Sequence, residues 1–446
     1  MQFRAQPPSF RPTRAAVCGL LVTASLLAAV GAGASPDEEE GAIPAAAALP
    51  PVRVRLASLD SPSRVTVKPA GTVLVQDPAS GEAIPAEGAA LQLSASGNQV
   101  SFAGRTFASL RIEASSLAVD PGKGARPYPG ALLLTAKGGK LSLVNECELE
   151  SYVAGVLAGE CPALFHPDAI RAMAVTVRSY SYRKAYLGTG ELCDTTHCQV
   201  YRGAAGVKET HLQAVEATRG LCAVYDGEVI DAVYSSDCGG VTEANEDAWK
   251  GARPLPYLRP VVDAPEPSAS AFCASNRAHE WKLSLTREKL QNLLGGGAAR
   301  VRVEPVDFTQ SGRVRKLQLS PAPADEGAGC GSPGAGKVYT GDQWRRMLGL
   351  SGVKSLLFEI RESPAGVELA GRGYGHGVGL CQFGANGMGK HGIAFTEIVK
   401  HYYTGVEVVP APDVAEVKAL IARKREAARR MSSTRGGNAA PKEPVP

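Results

Sequence analysis

The sequence predicts an α+β fold in which strands outnumber helices. Three observations lead there. Hydrophobic residues make up 44% and charged residues 21% of the 446 residues, which is a globular balance. The 50 glycines and 31 prolines imply many turns and short elements, excluding collagen and coiled coil. Finally, period-two alternation dominates the first part of the chain, whereas helical spacing is confined to a few later segments. A net charge of +4, with no basic stripe interleaved with aromatics, argues against a nucleic-acid partner.

At the start, Arg4, Arg11 and Arg14 occur without any acid ahead of the apolar run Ala15–Val30. Ala32-Gly33-Ala34 then precedes Ser35, so residues 1–34 read as a secretory signal with an A-x-A cleavage site. The competing reading is a retained anchor, against which the run of about 16 apolar residues is short. Cleavage removes three arginines and brings the net charge close to zero; no later stretch is apolar enough to span a bilayer. The expected location is therefore the periplasm or cell envelope. Besides Cys18, nine cysteines remain: Cys147, Cys161, Cys193, Cys198, Cys222, Cys238, Cys273, Cys330 and Cys381. In an exported chain this number suggests several disulfides, and being odd it leaves at least one thiol free or metal-bound.

Residues 35–50 are acidic and then Ala/Pro-rich, as expected of a flexible lead-in. Residues 51–145 alternate in short runs broken by Gly/Pro turns, such as Val52-Arg53-Val54-Arg55-Leu56, Val65-Thr66-Val67 and Leu132-Leu133-Leu134, and form a β-rich part. Residues 146–410 carry the chemistry. Helices are predicted over Leu149–Gly159 and from Pro167-Asp168, where Ala169, Ile170, Met173, Ala174 and Val177 recur at helical spacing. Strands are expected at Ala223–Val224, Val229–Tyr234, Val301–Val306 and Val314–Leu319. Further helices are expected at Thr286–Leu294 and Phe395–Tyr402, with a Gly/Pro/Ala loop around Pro321–Gly336. Residues 411–446 form a basic, Ala-rich tail, in part helical and frayed at its end.

Three segments stand out. They are LESYVAGVLAGECPALFHPDAIRAMAVTVRSYSYRKA, YSSDCGGVTEANEDAW and GRGYGHGVGLCQFGANGMGKHGIAFTEIVKHYYTGV. Glu160, stopped by Cys161-Pro162, is expected where a helix ends and a loop begins. A carboxylic acid there, partly desolvated, can protonate a poor leaving group. Glu146, Glu148 and Glu150 are expected to be solvated. Gly375-His376-Gly377 sits in a run of eight glycines between Gly371 and Gly389, which permits tight turns and close approach to the main chain. His376 and Gln382 either hydrogen-bond a ligand or, for His376, cap a turn. Cys193, His197 and Cys198 offer three zinc ligands within six residues, with a Cys193–Cys198 disulfide as the competitor. Cys238 and Cys273 read as a second pair closing a loop. Trp249, Trp281 and Trp344 are either stacking platforms or core.

In order and spacing the three segments resemble the stage II sporulation protein D (SpoIID) family, whose relatives include amidase enhancers. TQSGRVRKLQL, GDQWRRMLGL and YPGALLL extend the resemblance to about residues 52–408. It implies a β-rich core with a few helices around a glycan-binding groove, and peptidoglycan glycan strands as the bound polymer. It also implies Glu160 as the single catalytic acid and base of a lytic transglycosylase that leaves 1,6-anhydro ends. One carboxylate suffices for that chemistry, whereas hydrolysis ordinarily uses two. His376, Gln382, Tyr234, Ser235, Gly375 and Gly377 are the candidates to line that groove; by the same resemblance Arg178 sits close behind the catalytic Glu, where it either holds a sugar or ties two segments together. Cys193, His197 and Cys198 correspond to a loop that binds structural zinc in some members. The rival implication is a non-catalytic partner that stimulates a separate cell-wall amidase, or a plain wall-binding protein. Where relatives often carry Ser, this chain has Cys381.

Overall fold

The computed structural model describes residues 49–436, apart from 87–88, 189, 267–268, 297–299, 323–335 and 364. The expected signal with Cys18, the lead-in as far as residue 48, most of the Gly/Pro/Ala loop with Cys330, and residues 437–446 lie outside the described residues.

The fold is α+β, with 28% helix and 35% strand. Alternation in the first part produces a broad sheet. Strand Val52–Arg55 lies between Lys140–Cys147, to which it is antiparallel, and Glu191–Cys193, to which it is parallel. Beyond Lys140–Cys147 follow Arg126–Lys137, Ser109–Asp120, Arg64–Ala70, Leu91–Ser96, Gln99–Phe102 and Arg105–Phe107. Their inward positions, among them Val54, Val67, Leu110, Ile112, Leu132 and Leu134, are fully buried, as period-two patterning requires.

Helices α1 (Leu149–Glu160) and α2 (Pro167–Tyr182) follow the sheet. Helix α2 is buried along nearly its whole length, so its polar residues must be satisfied internally. Ser179 and Ser181 donate to the carbonyls four residues back, at 2.7 and 2.6 Å. Helices α3 (Glu209–Ala217) and α4 (Asn245–Ala248) lead through the middle of the chain. The expected strand Val229–Tyr234 is broken into Glu228–Val229 and Tyr234–Ser235. Between them the backbone has other partners: the Val233 carbonyl accepts from the Tyr403 hydroxyl at 2.8 Å.

A second hydrophobic core forms between residues 281 and 369, around Trp281, Leu317, Trp344 and Leu369. It contains two three-stranded sheets with α5 (Arg287–Leu294) and α6 (Gly341–Leu348). Thr286 caps α5 by accepting from the Lys289 N–H. The chain then returns to the main core through α7 (Gln382–Lys390), α8 (Phe395–Tyr402) and α9 (Val414–Gly436). Helix α7 was not expected, because QFGANGMGK has poor helix propensity. Its glycines are explained by packing. A Cβ at Gly384 would collide with Tyr402 and Asp263, at Gly387 with the Phe272 backbone, and at Gly389 with the His166 ring. No helix among the described residues is long and apolar enough to cross a membrane.

Candidate functional site

Glu160 ends α1, as its spacing predicts. Two glycines on one face of that helix, Gly155 and Gly159, have no room for a Cβ against segment 200–203. That close approach brings the Val200 N–H to the Glu160 carboxylate, to which it donates at 2.7 Å. The Gln382 amide, at the start of α7, donates to the backbone carbonyl of Glu160 at 3.1 Å. Glu160 is half-buried. Burial raises its pKa above the ordinary value, while the Val200 N–H, Gln382 and the Arg202 charge work in the opposite direction. Its position at the C-terminal, negative end of a helix disfavours ionisation further. The outcome is a residue whose carboxylate is held by the Val200 N–H and whose backbone is held by Gln382, with its pKa above the ordinary value.

Strand Tyr234–Ser235 runs parallel to Leu380–Cys381, with Tyr234 opposite Leu380 and Ser235 opposite Cys381, so the second and third sequence blocks meet directly. The Tyr234 hydroxyl donates to Gln199 Oε1 at 3.2 Å, and its negative form is disfavoured first by burial and then by Glu160. Ser235 is buried, and its hydroxyl lacks a hydrogen-bond partner among the described residues. Gly375 and Gly377 take positive φ angles of 115° and 78°. A Cβ at Gly377 would strike the Arg313 guanidinium, and one at Gly375 would press on Ser235. These glycines therefore shape the turn around His376.

His376 caps that turn, its Nδ1 accepting from the Val378 N–H at 3.0 Å. Burial, followed by the Arg345 and Arg313 charges, pushes its pKa down to about 4, so the ring is neutral at physiological pH. Its face packs against Trp249, with centroids 5.0 Å apart. Trp249 is 38% exposed, whereas Trp281 and Trp344 belong to the second core. His376 thus caps the turn, and the Gln382 amide contacts the Glu160 backbone.

Arg178 corrects an expectation. Its side chain is fully buried and forms a two-pronged ion pair with Glu150, Nε to Oε1 at 2.9 Å and Nη2 to Oε2 at 2.6 Å. Nη1 donates to the Leu221 carbonyl at 3.1 Å. It ties α1 and α2 to segment 215–221 and does not line a groove. The expectation of solvated acids is corrected with it. Glu150 has a side-chain exposure of 12%, and Glu146, at 18%, pairs with Arg111 and Arg53; only Glu148 is well exposed.

Cys193, His197 and Cys198 do come together. Both sulfurs lie close to His197 Nδ1, Cys193 at 3.6 Å and Cys198 at 3.5 Å. Ligands about 2.0–2.3 Å from one tetrahedral zinc stand roughly 3.3–3.8 Å apart, so the donor set fits that ion. Burial opposes ionisation of Cys193, yet hydrogen bonds from Thr195, Cys198 and His197 bring its pKa down to about 7; burial pushes Cys198 up to about 11. All the cysteines among the described residues are free thiols, and the Cys238 and Cys273 sulfurs are 3.9 Å apart without a bond.

Sequence reasoning missed Val200, Arg202 and Gln199. The available signal was the Gly155/Gly159 pair, which at helical spacing marks a face that another backbone must approach. A cleft of about 650 Å³ lies elsewhere, between Trp281, Phe308, Phe358 and Arg372, and contains none of these residues.

The stage II sporulation protein (SpoIID) family profile matches residues 137–225, the segment holding α1, Glu160 and α2. The chain is 32% identical over 294 residues to an uncharacterized protein of Brachyspira hyodysenteriae, covering 63% of this chain and 72% of the relative. It is 31% identical over 286 residues to stage II sporulation protein D of Bacillus subtilis, covering 60% and 76%. An amidase enhancer of Bacillus subtilis is 29% identical over 282 residues, covering 56% of this chain and 39% of that protein.

Proposed function

Because the chain belongs to the stage II sporulation protein D family, we propose that it is an exported peptidoglycan lytic transglycosylase in which Glu160 is the acid and the base. The observation that carries this reading is the Glu160 carboxyl group itself: half-buried at a helix end, held by the Val200 N–H, and shifted towards its protonated form. A carboxylic acid so placed gives its proton to the glycosidic oxygen as the C1–O bond breaks, and the departing sugar leaves with a new hydroxyl. The resulting carboxylate then accepts the proton of the C6 hydroxyl. O6 bonds to C1, closing a 1,6-anhydro ring without water as nucleophile. Atoms and charge balance, and one carboxylate serves both steps.

On this reading the other residues position the acid and the strand. Gln382 holds the Glu160 backbone, Tyr234 and Ser235 sit on the strand beside it, and Trp249 offers an exposed ring braced by His376. Cys193, His197 and Cys198 would hold a structural zinc, which contributes stability to the loop leading to Val200 and takes no part in cleavage. Glycan strands are the partner; nothing in the charge pattern suits nucleic acid.

A second reading is favoured by the similarity to an amidase enhancer. There the same surface would stimulate a separate cell-wall amidase and cleave nothing itself. Digestion of purified glycan strands by the mature protein, followed by mass spectrometry, separates the two. The expected product carries 1,6-anhydro ends. Intact glycan, together with faster turnover by an added amidase, would establish the enhancer reading instead.

A further inference from the structure

Four potential metal ligands converge in the main core, on segments far apart in sequence. Cys238 belongs to the second sequence block, Asp263 and Cys273 to the loop that follows it, and Cys381 to the third block. Their ligand atoms all lie within 4.8 Å of one another. Cys238 and Asp263 are separated by 3.2 Å and the Cys238 and Cys273 sulfurs by 3.9 Å. These spacings suit donors arranged about one tetrahedral ion, whose edges are roughly 3.3–3.8 Å for sulfur and oxygen ligands. Each of the four side chains is at most 1% exposed. We propose that Cys238, Asp263, Cys273 and Cys381 form a buried structural zinc site, distinct from the Cys193/His197/Cys198 loop.

Some of the surrounding hydrogen bonds suit metal ligands. The Cys381 sulfur accepts from two backbone N–H groups, those of Cys238 at 3.2 Å and Gly384 at 3.3 Å. That is what a thiolate would seek. The Tyr402 hydroxyl donates to Asp263 Oδ1 at 2.5 Å, leaving Oδ2 directed at Cys238. Outer hydrogen bonds of this kind orient metal ligands. The buried Arg313 guanidinium donates to the Cys238 carbonyl at 2.7 Å and offsets part of the negative charge of three thiolates and a carboxylate.

A Cys238–Cys273 disulfide is the competing use of these groups. It engages two of the four and leaves Cys381 and Asp263 as a buried thiol and a buried acid. A tetrahedral thiolate-rich set favours zinc among the common divalent ions. Cys381 immediately precedes Gln382, and Cys238 lies three residues beyond Ser235. The ion would therefore fasten together the two blocks that flank Glu160.

The test begins with the mature Cys193→Ser/Cys198→Ser protein, prepared without chelator, which keeps all four proposed ligands. Metal analysis should find one zinc per chain, and X-ray absorption should find three sulfurs and one oxygen around it. Adding Cys273→Ser should abolish that zinc. Absence of metal in the double variant, or a sulfur-poor ligand set, would overturn the proposal. Should the double variant prove insoluble, non-reducing peptide mapping of the unaltered protein decides. A Cys238–Cys273 disulfide refutes the site. Three unlinked cysteines in a protein carrying more zinc than the Cys193 loop can hold support it.

Discussion

The Gln382 side-chain amide donates to the backbone carbonyl of Glu160 at 3.1 Å, joining residues 222 positions apart. Glu160 closes α1 and Gln382 opens α7, so the contact connects the unsatisfied carbonyl end of one helix to the start of another. On the other side of Glu160, the Val200 N–H meets its carboxylate. Backbone and side chain of this residue are thus held by two different segments.

Gln382→Ala removes the donor and leaves a half-buried carbonyl without it, a change that costs about 1–3 kcal/mol. Urea melts should register that loss. If Gln382 works by positioning Glu160, glycan turnover should fall in kcat more than KM rises. Gln382→Glu keeps the size but donates only when protonated, so its defect relative to the unaltered protein should shrink as pH falls. A defect of the same size at every pH would make Gln382 a packing residue only.

Arg178 and Glu150 form an ion pair whose side chains are 0% and 12% exposed. Breaking a buried pair by removing one partner destabilises by about 3–5 kcal/mol, because the remaining charge stays desolvated. Arg178→Met and Glu150→Gln should both lower the melting temperature strongly, whereas the double variant should recover part of the loss. Binding of glycan, measured below the transition, should be unchanged in whichever variant folds. A stable Arg178→Met protein with impaired binding would return Arg178 to the groove.

Much of this arrangement was legible beforehand. Alternation in Val52–Arg55, the strand run at Leu132–Leu134 and the helix start at Pro167-Asp168 are local patterns with local causes, and they predicted elements within a residue or two. The end of α1 at Glu160 was readable for the same reason, since Cys161-Pro162 cannot continue a helix. Helix α7 was not legible, because its glycines are dictated by Tyr402, Phe272 and His166, and such tertiary demands outweigh propensity. Nor could spacing reveal that Arg178 faces Glu150, 28 residues earlier, instead of a ligand. The second core around Trp281 and Trp344 likewise depends on pairing between strands far apart in sequence.

Trp249 is the tryptophan left exposed, and its ring rests on His376. Stacking on an aromatic ring contributes about 0.5–1.5 kcal/mol beyond buried area. Trp249→Ala should therefore raise KM for glycan about twofold to tenfold while leaving the melting temperature nearly unchanged. His376→Ala should act more weakly on binding and more strongly on stability, since it removes both the turn cap and the support of the ring. Isothermal titration with glycan fragments checks both; unaltered affinity in Trp249→Ala would put the sugar elsewhere.

Glu160→Gln separates catalysis from stability. Burial raises the Glu160 pKa in the folded chain above the ordinary 4.5, with Val200, Gln382 and Arg202 opposing it in part. The folded protein therefore holds this proton more tightly than the unfolded chain does. Protonation of Glu160 contributes stability that is fully present below 4.5 and is lost as pH rises through the raised folded value. Above 4.5 the buried carboxyl is therefore a net burden, which Gln lacks while still accepting from the Val200 N–H. Glu160→Gln should consequently melt no lower than the unaltered protein at neutral pH, and its advantage should narrow as pH falls from the raised folded value towards 4.5 and be gone below it. Turnover should behave oppositely, falling about a hundred- to ten-thousandfold, since Gln has no proton to transfer. In the unaltered protein, kcat/KM should decline on the alkaline side with an apparent pKa above 4.5. Melting curves and a pH–rate profile on the same preparations test the whole argument. An alkaline limb at or below 4.5, or full turnover by the Gln variant, would assign the proton transfer to a different group.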